Sequence, residues 1–139
     1  WERACPLLVP MVEEGRYPDD PLVRAAVVEY LAPIRKRVQT LVLGCTHYPL
    51  LKTVISEAMG HQTPLVDSAE AVAEQVAATL AAEARAVGAA RGNVQCYVSD
   101  NPERFRTIGE RFMGAPLRDV TLVEPEDFFV AEESAAKTL

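Results

Sequence analysis

The stretch Thr40-Leu41-Val42-Leu43-Gly44-Cys45-Thr46-His47-Tyr48-Pro49-Leu50-Leu51 constrains this chain more than any other. Leu41, Val42 and Leu43 form a short apolar run that reads as a buried strand, Gly44 ends it, and Pro49 suits the opening of a helix. Cys45 therefore falls on a strand-to-helix turn. In open α/β sheets ligands bind in the crevice outside the carboxyl ends of the strands. A thiol, a hydroxyl and an imidazole in consecutive residues thus stand where chemistry is usual.

Strand-like and helix-like segments alternate along the rest of the chain. Residues 5–9 read as a buried strand and residues 10–15 as a loop or single turn, from which Glu13 and Glu14 could reach a cleft. Asp19-Asp20-Pro21 is a helix start: an aspartate accepts from free N–H groups and proline fits the first helical position. Leu22, Val23, Ala26, Val27, Tyr30, Leu31 and Ile34 then recur at helical spacing, with Pro33 ending or kinking the helix near Leu31. After the Cys45 turn, Leu50, Leu51, Val54, Ile55, Ala58 and Met59 form another apolar face closed by Gly60. Residues 63–66 read as a strand, and Asp67-Ser68 caps a helix, with Glu70 in its first turn, that runs to about Val87 before Gly88 and Gly92. Residues 94–99 alternate as a strand. Asp100-Asn101-Pro102 starts a helix with Phe105, Ile108, Phe112 and Met113 facing a core, Gly114 closes it, and residues 120–123 form a last strand. Residues 131–139 read as a disordered tail. This order predicts an α/β fold with a mainly parallel sheet.

At 139 residues the chain has the length of one domain, enough to bury roughly two-thirds of its unfolded surface. Apolar residues at 49% and charged residues at 24% are a globular balance. A net charge of −6 argues against a nucleic-acid partner, because phosphate binders concentrate positive charge. Arg35-Lys36-Arg37, the one basic cluster, reads as a solvated helix end. The apolar stretches are too short to span a bilayer, so no membrane partner is expected. Three widely spaced cysteines, Cys5, Cys45 and Cys96, suit free thiols in a reducing cytoplasm better than a disulfide framework. The start at Trp1, directly before an apolar run, reads as a piece of a longer protein.

Cysteine works as a thiolate, and its ordinary pKa near 8.5 leaves only a few per cent ionised at neutral pH. The helix start after Pro49 would favour the anion, His47 could handle its proton, and Thr46 could donate to a substrate carboxylate. Spacing alone leaves alternatives open. A Cys-x-His on a turn is more often structural than reactive, a zinc site would need two further ligands, and a cysteine hydrolase would need a base held by a third group. Glu13 taken alone is as easily a solvated loop acid. Cys5 and Cys96 both read as small core residues in strands.

Residues 41–51 resemble the second cysteine motif of bacterial glutamate racemase. Three further stretches match in order: Ala4-Cys5-Pro6-Leu7-Leu8-Val9-Pro10-Met11-Val12-Glu13-Glu14-Gly15, then Leu65-Val66-Asp67-Ser68, then Tyr97-Val98-Ser99-Asp100 leading into residues 102–112. The likeness covers nearly everything from Ala4 to about Met113. Aspartate-specific relatives tend to carry glutamate where this chain has His47, which favours the glutamate branch.

The resemblance implies a two-lobed α/β racemase fold, a three-layer open and mainly parallel sheet, with the amino-terminal half missing. Residues 1–63 would be part of the lobe carrying Cys45 and residues 64–130 the returning part of the second lobe, with the crossing at 60–67. It implies interconversion of L- and D-glutamate with no cofactor and no metal, using two cysteines on opposite faces of the substrate Cα. Cys45 is one acid/base, His47 its proton-managing neighbour, and Thr46 and Glu13 are substrate contacts. Asp67 and Ser68 are expected to cap a helix rather than touch substrate. The partner is a small molecule, the full-length protein a possible homodimer, and the product D-glutamate for peptidoglycan. The first catalytic cysteine of the family is absent, so the chain alone is expected to be inactive. The rival readings are another amino-acid racemase of the superfamily and a non-catalytic binding fragment.

Overall fold

Strands β1 (Leu41–Leu43) and β2 (Leu65–Asp67) run parallel in the computed structural model, with Leu41, Val42 and Leu43 opposite Leu65, Val66 and Asp67. The structure describes residues 1–83, 92–124 and 126; the expected helix end near Val87 and Gly88 and the tail at 131–139 lie outside them. The chain divides into two compact units, Trp1–Ala89 and Ala90–Leu139.

In the first unit the elements follow in the order α1 (Leu8–Glu13), α2 (Pro21–Leu31), β1, a 3₁₀ turn (Tyr48–Leu51), α3 (Lys52–Met59), β2 and α4 (Ser68–Ala82). Asp20 caps α2 by accepting from the Leu22 N–H at 2.8 Å, ahead of Pro21. Val23, Ala26, Val27 and Leu31 are its buried stripe. They pack in one core with Leu8 and Val12 of α1, Leu43 of β1, Leu51, and Val54, Ile55 and Met59 of α3. Gly60 stops α3 in the left-handed region at φ 91°, where its N–H and that of His61 both reach the Ser56 carbonyl. A Cβ there would also crowd the Arg35 guanidinium at 3.2 Å.

Several expectations need correction. Residues 5–9 do not form a strand, and residues 10–15 are not simply a loop: α1 occupies Leu8–Glu13. A short apolar run does not distinguish strand from helix by itself. Here Leu8 and Val12, four residues apart, both bury against the core. Pro10 is tolerated because it lies in the first turn, where its missing N–H costs nothing. Cys5 is a buried core thiol as expected, but outside any strand. β2 pairs with β1, and α4 lies in the first unit. Gly44 has open space around it and no left-handed φ, so the bend there does not require glycine.

The second unit contains β3 (Gln95–Val98), α5 (Pro102–Met113) and β4 (Asp119–Leu122), with β3 and β4 parallel. Asn101 caps α5 by accepting from the Arg104 N–H at 2.9 Å. Val98 and Leu117 are its buried apolar residues, and Leu117 packs so closely on Gly109 that a Cβ there would lie 2.6 Å from it. Phe105, Phe112 and Met113 are 41%, 41% and 54% exposed, so the expected core-facing stripe is only partly covered. A two-stranded sheet is too narrow to cover a helix face. The same holds for α4, which buries none of its residues. No described helix is long and apolar enough to cross a membrane.

Candidate active site

Leu43 ends β1 inside the core, and the chain then turns through Gly44, Cys45, Thr46 and His47 before the 3₁₀ turn. The turn is closed locally: the Tyr48 N–H donates to the Cys45 carbonyl at 3.2 Å and the Leu50 N–H to the His47 carbonyl at 3.1 Å. Fully buried Leu51 pins the far end. The helix expected directly after Pro49 is in fact this single 3₁₀ turn, and the α-helix starts only at Lys52. A 3₁₀ turn is common at the start of an α-helix, and here it moves the α-helical N-terminus away from Cys45.

The imidazole of His47 links three groups. Its Nδ1 lies 4.0 Å from the Cys45 Sγ and 3.3 Å from the Thr46 Oγ1, and its Nε2 lies 3.2 Å from the Glu13 Oε1. A neutral imidazole carries one proton. Placed on Nε2 it donates to Glu13 and leaves Nδ1 to accept from the thiol or the hydroxyl; in the imidazolium both nitrogens donate. Thr46 holds the nearer approach to Nδ1, so the sulfur is not locked into that bond. Cys45 is half-buried and His47 and Glu13 are partly exposed, a setting open to a small molecule. All four sequence-predicted residues, Glu13, Cys45, Thr46 and His47, are thus brought together.

The other thiols stand apart from this group in role. Burial pushes the Cys5 thiol above its ordinary pKa, partly offset by the charge of Arg3 and a hydrogen bond with Tyr48. The Tyr48 hydroxyl is also pushed up, first by burial and then by Cys5 and Cys45 beside it. Cys96 lies in β3 of the second unit. All three cysteines are free. Among the described residues no cluster of three or more His, Cys, Asp or Glu side chains is arranged to hold a metal.

Asp67 does cap α4, accepting from the Glu70 N–H at 2.9 Å. Sequence reasoning did not anticipate its second bond. Lys52 Nζ lies 2.5 Å from the Asp67 Oδ2 and 2.6 Å from the Glu70 Oε1. The Lys52 hydrogen bond holds the Asp67 carboxyl below the usual carboxylate range, and the two carboxylates hold the ammonium above its own.

Comparison with known proteins gives these residues a context. No family model matches the chain. A glutamate racemase of Geobacter metallireducens is 47% identical over 126 residues, covering 89% of this chain and 46% of that protein. One from Neisseria gonorrhoeae is 46% identical, covering 87% and 45%. The crystal structure of Thermus thermophilus glutamate racemase in complex with β-chloro-D-alanine superposes with a TM-score of 0.79 at 40% identity, over 91% of this chain and 48% of that one. The chain is thus similar to the carboxy-terminal half of glutamate racemases. It spans about half the length of the curated glutamate racemases it matches. The structure of the Francisella tularensis glutamate racemase in complex with D-glutamate superposes with a TM-score of 0.75 at 28% identity, over 89% of this chain and 46% of that one.

Proposed function

We propose that this chain supplies the Cys45 side of a glutamate racemase site, in which Cys45 exchanges a proton with the substrate Cα and needs no cofactor. The observation that carries the reading is the series Cys45, His47, Glu13: a half-exposed thiol, an imidazole nitrogen 4.0 Å from its sulfur, and a carboxylate 3.2 Å from the other nitrogen. A sulfur base gains from a neighbour that takes or returns its proton during turnover. Thr46 and Glu13 contact the substrate's charged groups, holding it where the Cα–H bond faces the sulfur. Racemization requires protonation from the face opposite to the one deprotonated, so a second thiol stands across the substrate. Cys5 is buried in the core and cannot take that place. The chain alone is therefore inactive, and the amino-terminal half of the family supplies the other cysteine. The full protein works in the cytoplasm, where free thiols persist, as a homodimer providing D-glutamate for peptidoglycan.

The test is complementation. Co-expressed with the amino-terminal half of a glutamate racemase, the chain should racemize glutamate and incorporate solvent deuterium at Cα. Cys45→Ser should lower turnover by about 100-fold or more. Full racemization after selective alkylation of Cys45 would sink the acid/base role and favour a binding fragment. Deuterium exchange across a panel of L- and D-amino acids separates glutamate from the substrates of other racemases.

A further inference from the structure

We propose that Lys52 and Asp67 form a clasp that sets the geometry of the Cys45–His47 turn, making both positioning residues for the thiol. The inference rests on the reading of Cys45 as the reacting group. The turn leaves the sheet after Leu43, which stands opposite Asp67 in the β1–β2 register. It returns to helix at Lys52, whose ammonium lies 2.5 Å from the same Asp67. Both ends of residues 44–51 are thereby referred to one residue of the neighbouring strand.

Asp67 is built for two separate duties. Its Oδ1 accepts the Glu70 N–H and starts α4, while its Oδ2 takes the Lys52 ammonium. It is also a buried carboxylate, 4% exposed. A buried charge needs a partner, and loss of one partner leaves the other uncompensated. Within residues 45–50 the backbone bonds described above are local, as is that from the Lys52 N–H to the Pro49 carbonyl, while Tyr48 and Leu50 pack partly on the core and His47 reaches Glu13. Local 3₁₀-type bonds set the shape of such a turn but not where it sits on the sheet. The clasp fixes the Lys52 end of the turn against β2, and through it tunes the direction of the Cys45 sulfur and the reach of His47 to Glu13.

The 139-residue chain itself serves for the test. Amide exchange would be followed along β1 and at residues 45–48, together with the iodoacetamide reaction of Cys45 resolved by peptide mass spectrometry. In Lys52→Met and Asp67→Asn, exchange at residues 45–48 should rise about tenfold while β1 stays within about twofold. Cys45 alkylation should change by about threefold or more, and Lys52→Arg, which keeps the charge, should restore both. Asp67→Asn retains an oxygen able to cap α4, so it carries the test if Lys52→Met does not fold. Unchanged turn exchange and alkylation would overturn the proposal. So would a uniform rise in exchange across strand and turn, or loss of folding in both variants, since either would make the pair a general fold determinant. None of these readouts needs turnover, so failure of racemization in the complemented protein would count against the functional reading alone.

Discussion

The Glu13 Oε1 and the His47 Nε2, 34 residues apart in sequence, lie 3.2 Å from each other. A carboxylate in that position favours the proton on Nε2 and turns Nδ1 toward Cys45 and Thr46. In Glu13→Gln the nitrogen-15 spectrum of His47 should lose its preference for the Nε2–H form. In the complemented racemase the same variant should lower kcat by about tenfold or more. An unchanged tautomer balance would show that Glu13 does not orient the ring.

Leu51 closes the 3₁₀ turn and is fully buried in the core of the first unit. Leu51→Ala should destabilise that unit by about 2–5 kcal/mol, the lost transfer energy plus the cavity left behind. Urea unfolding followed by circular dichroism measures this. A cost well under about 1 kcal/mol would mean that the turn is not anchored through its apolar end.

Acid should weaken the first unit through Asp67 and Asp20. Lys52 and the Glu70 N–H hold the Asp67 carboxyl down, and Arg16 and the Leu22 N–H do the same for Asp20. Each binds fewer protons folded than unfolded. Their contribution is therefore present above the unfolded value near 3.9 and is lost as pH falls through the folded values. Urea midpoints taken from pH 6 downward should fall in that window, and Asp67→Asn should flatten the slope. An identical slope in the variant would contradict the linkage.

Alkali should weaken the same unit for the opposite reason. Burial raises the Cys5 thiol and the Tyr48 hydroxyl, so both hold their protons more tightly when folded. Their contribution is present below the unfolded values, near 8.5 for the thiol, and is lost as pH rises through the folded ones. In Cys5→Ala the decline in urea midpoint above about pH 8.5 should be shallower, whatever the variant's stability at neutral pH. A decline as steep as that of the wild type would remove Cys5 from the account.

Helix starts were legible because their signals are local. Asp20 before Pro21, Asp67 before Ser68 and Asn101 before Pro102 each accept from a backbone N–H two or three residues on. The helix Leu8–Glu13 was hidden for the converse reason. Leu7, Leu8, Val9, Met11 and Val12 satisfy a strand pattern and a helix pattern about equally, and packing on the core decided between them. The stripe Phe105, Ile108, Phe112 was read correctly as one face of a helix. How much of it is covered depends on the breadth of sheet beside it, which periodicity does not report.

By itself the sequence determined the strand-to-helix turn at Cys45, the caps, and the likeness of residues 4–113 to glutamate racemases. These depend on residue type and short spacing, which act through bonds within a few positions of the chain. Tertiary structure decided what the turn is made to do. The carboxylate of Glu13 and the ammonium of Lys52 approach His47 and Asp67 only because α1, α2 and α3 share one apolar core and β1 pairs in register with β2. Such contacts follow from burial of surface across distant segments, whose partners are chosen by packing rather than by sequence neighbourhood.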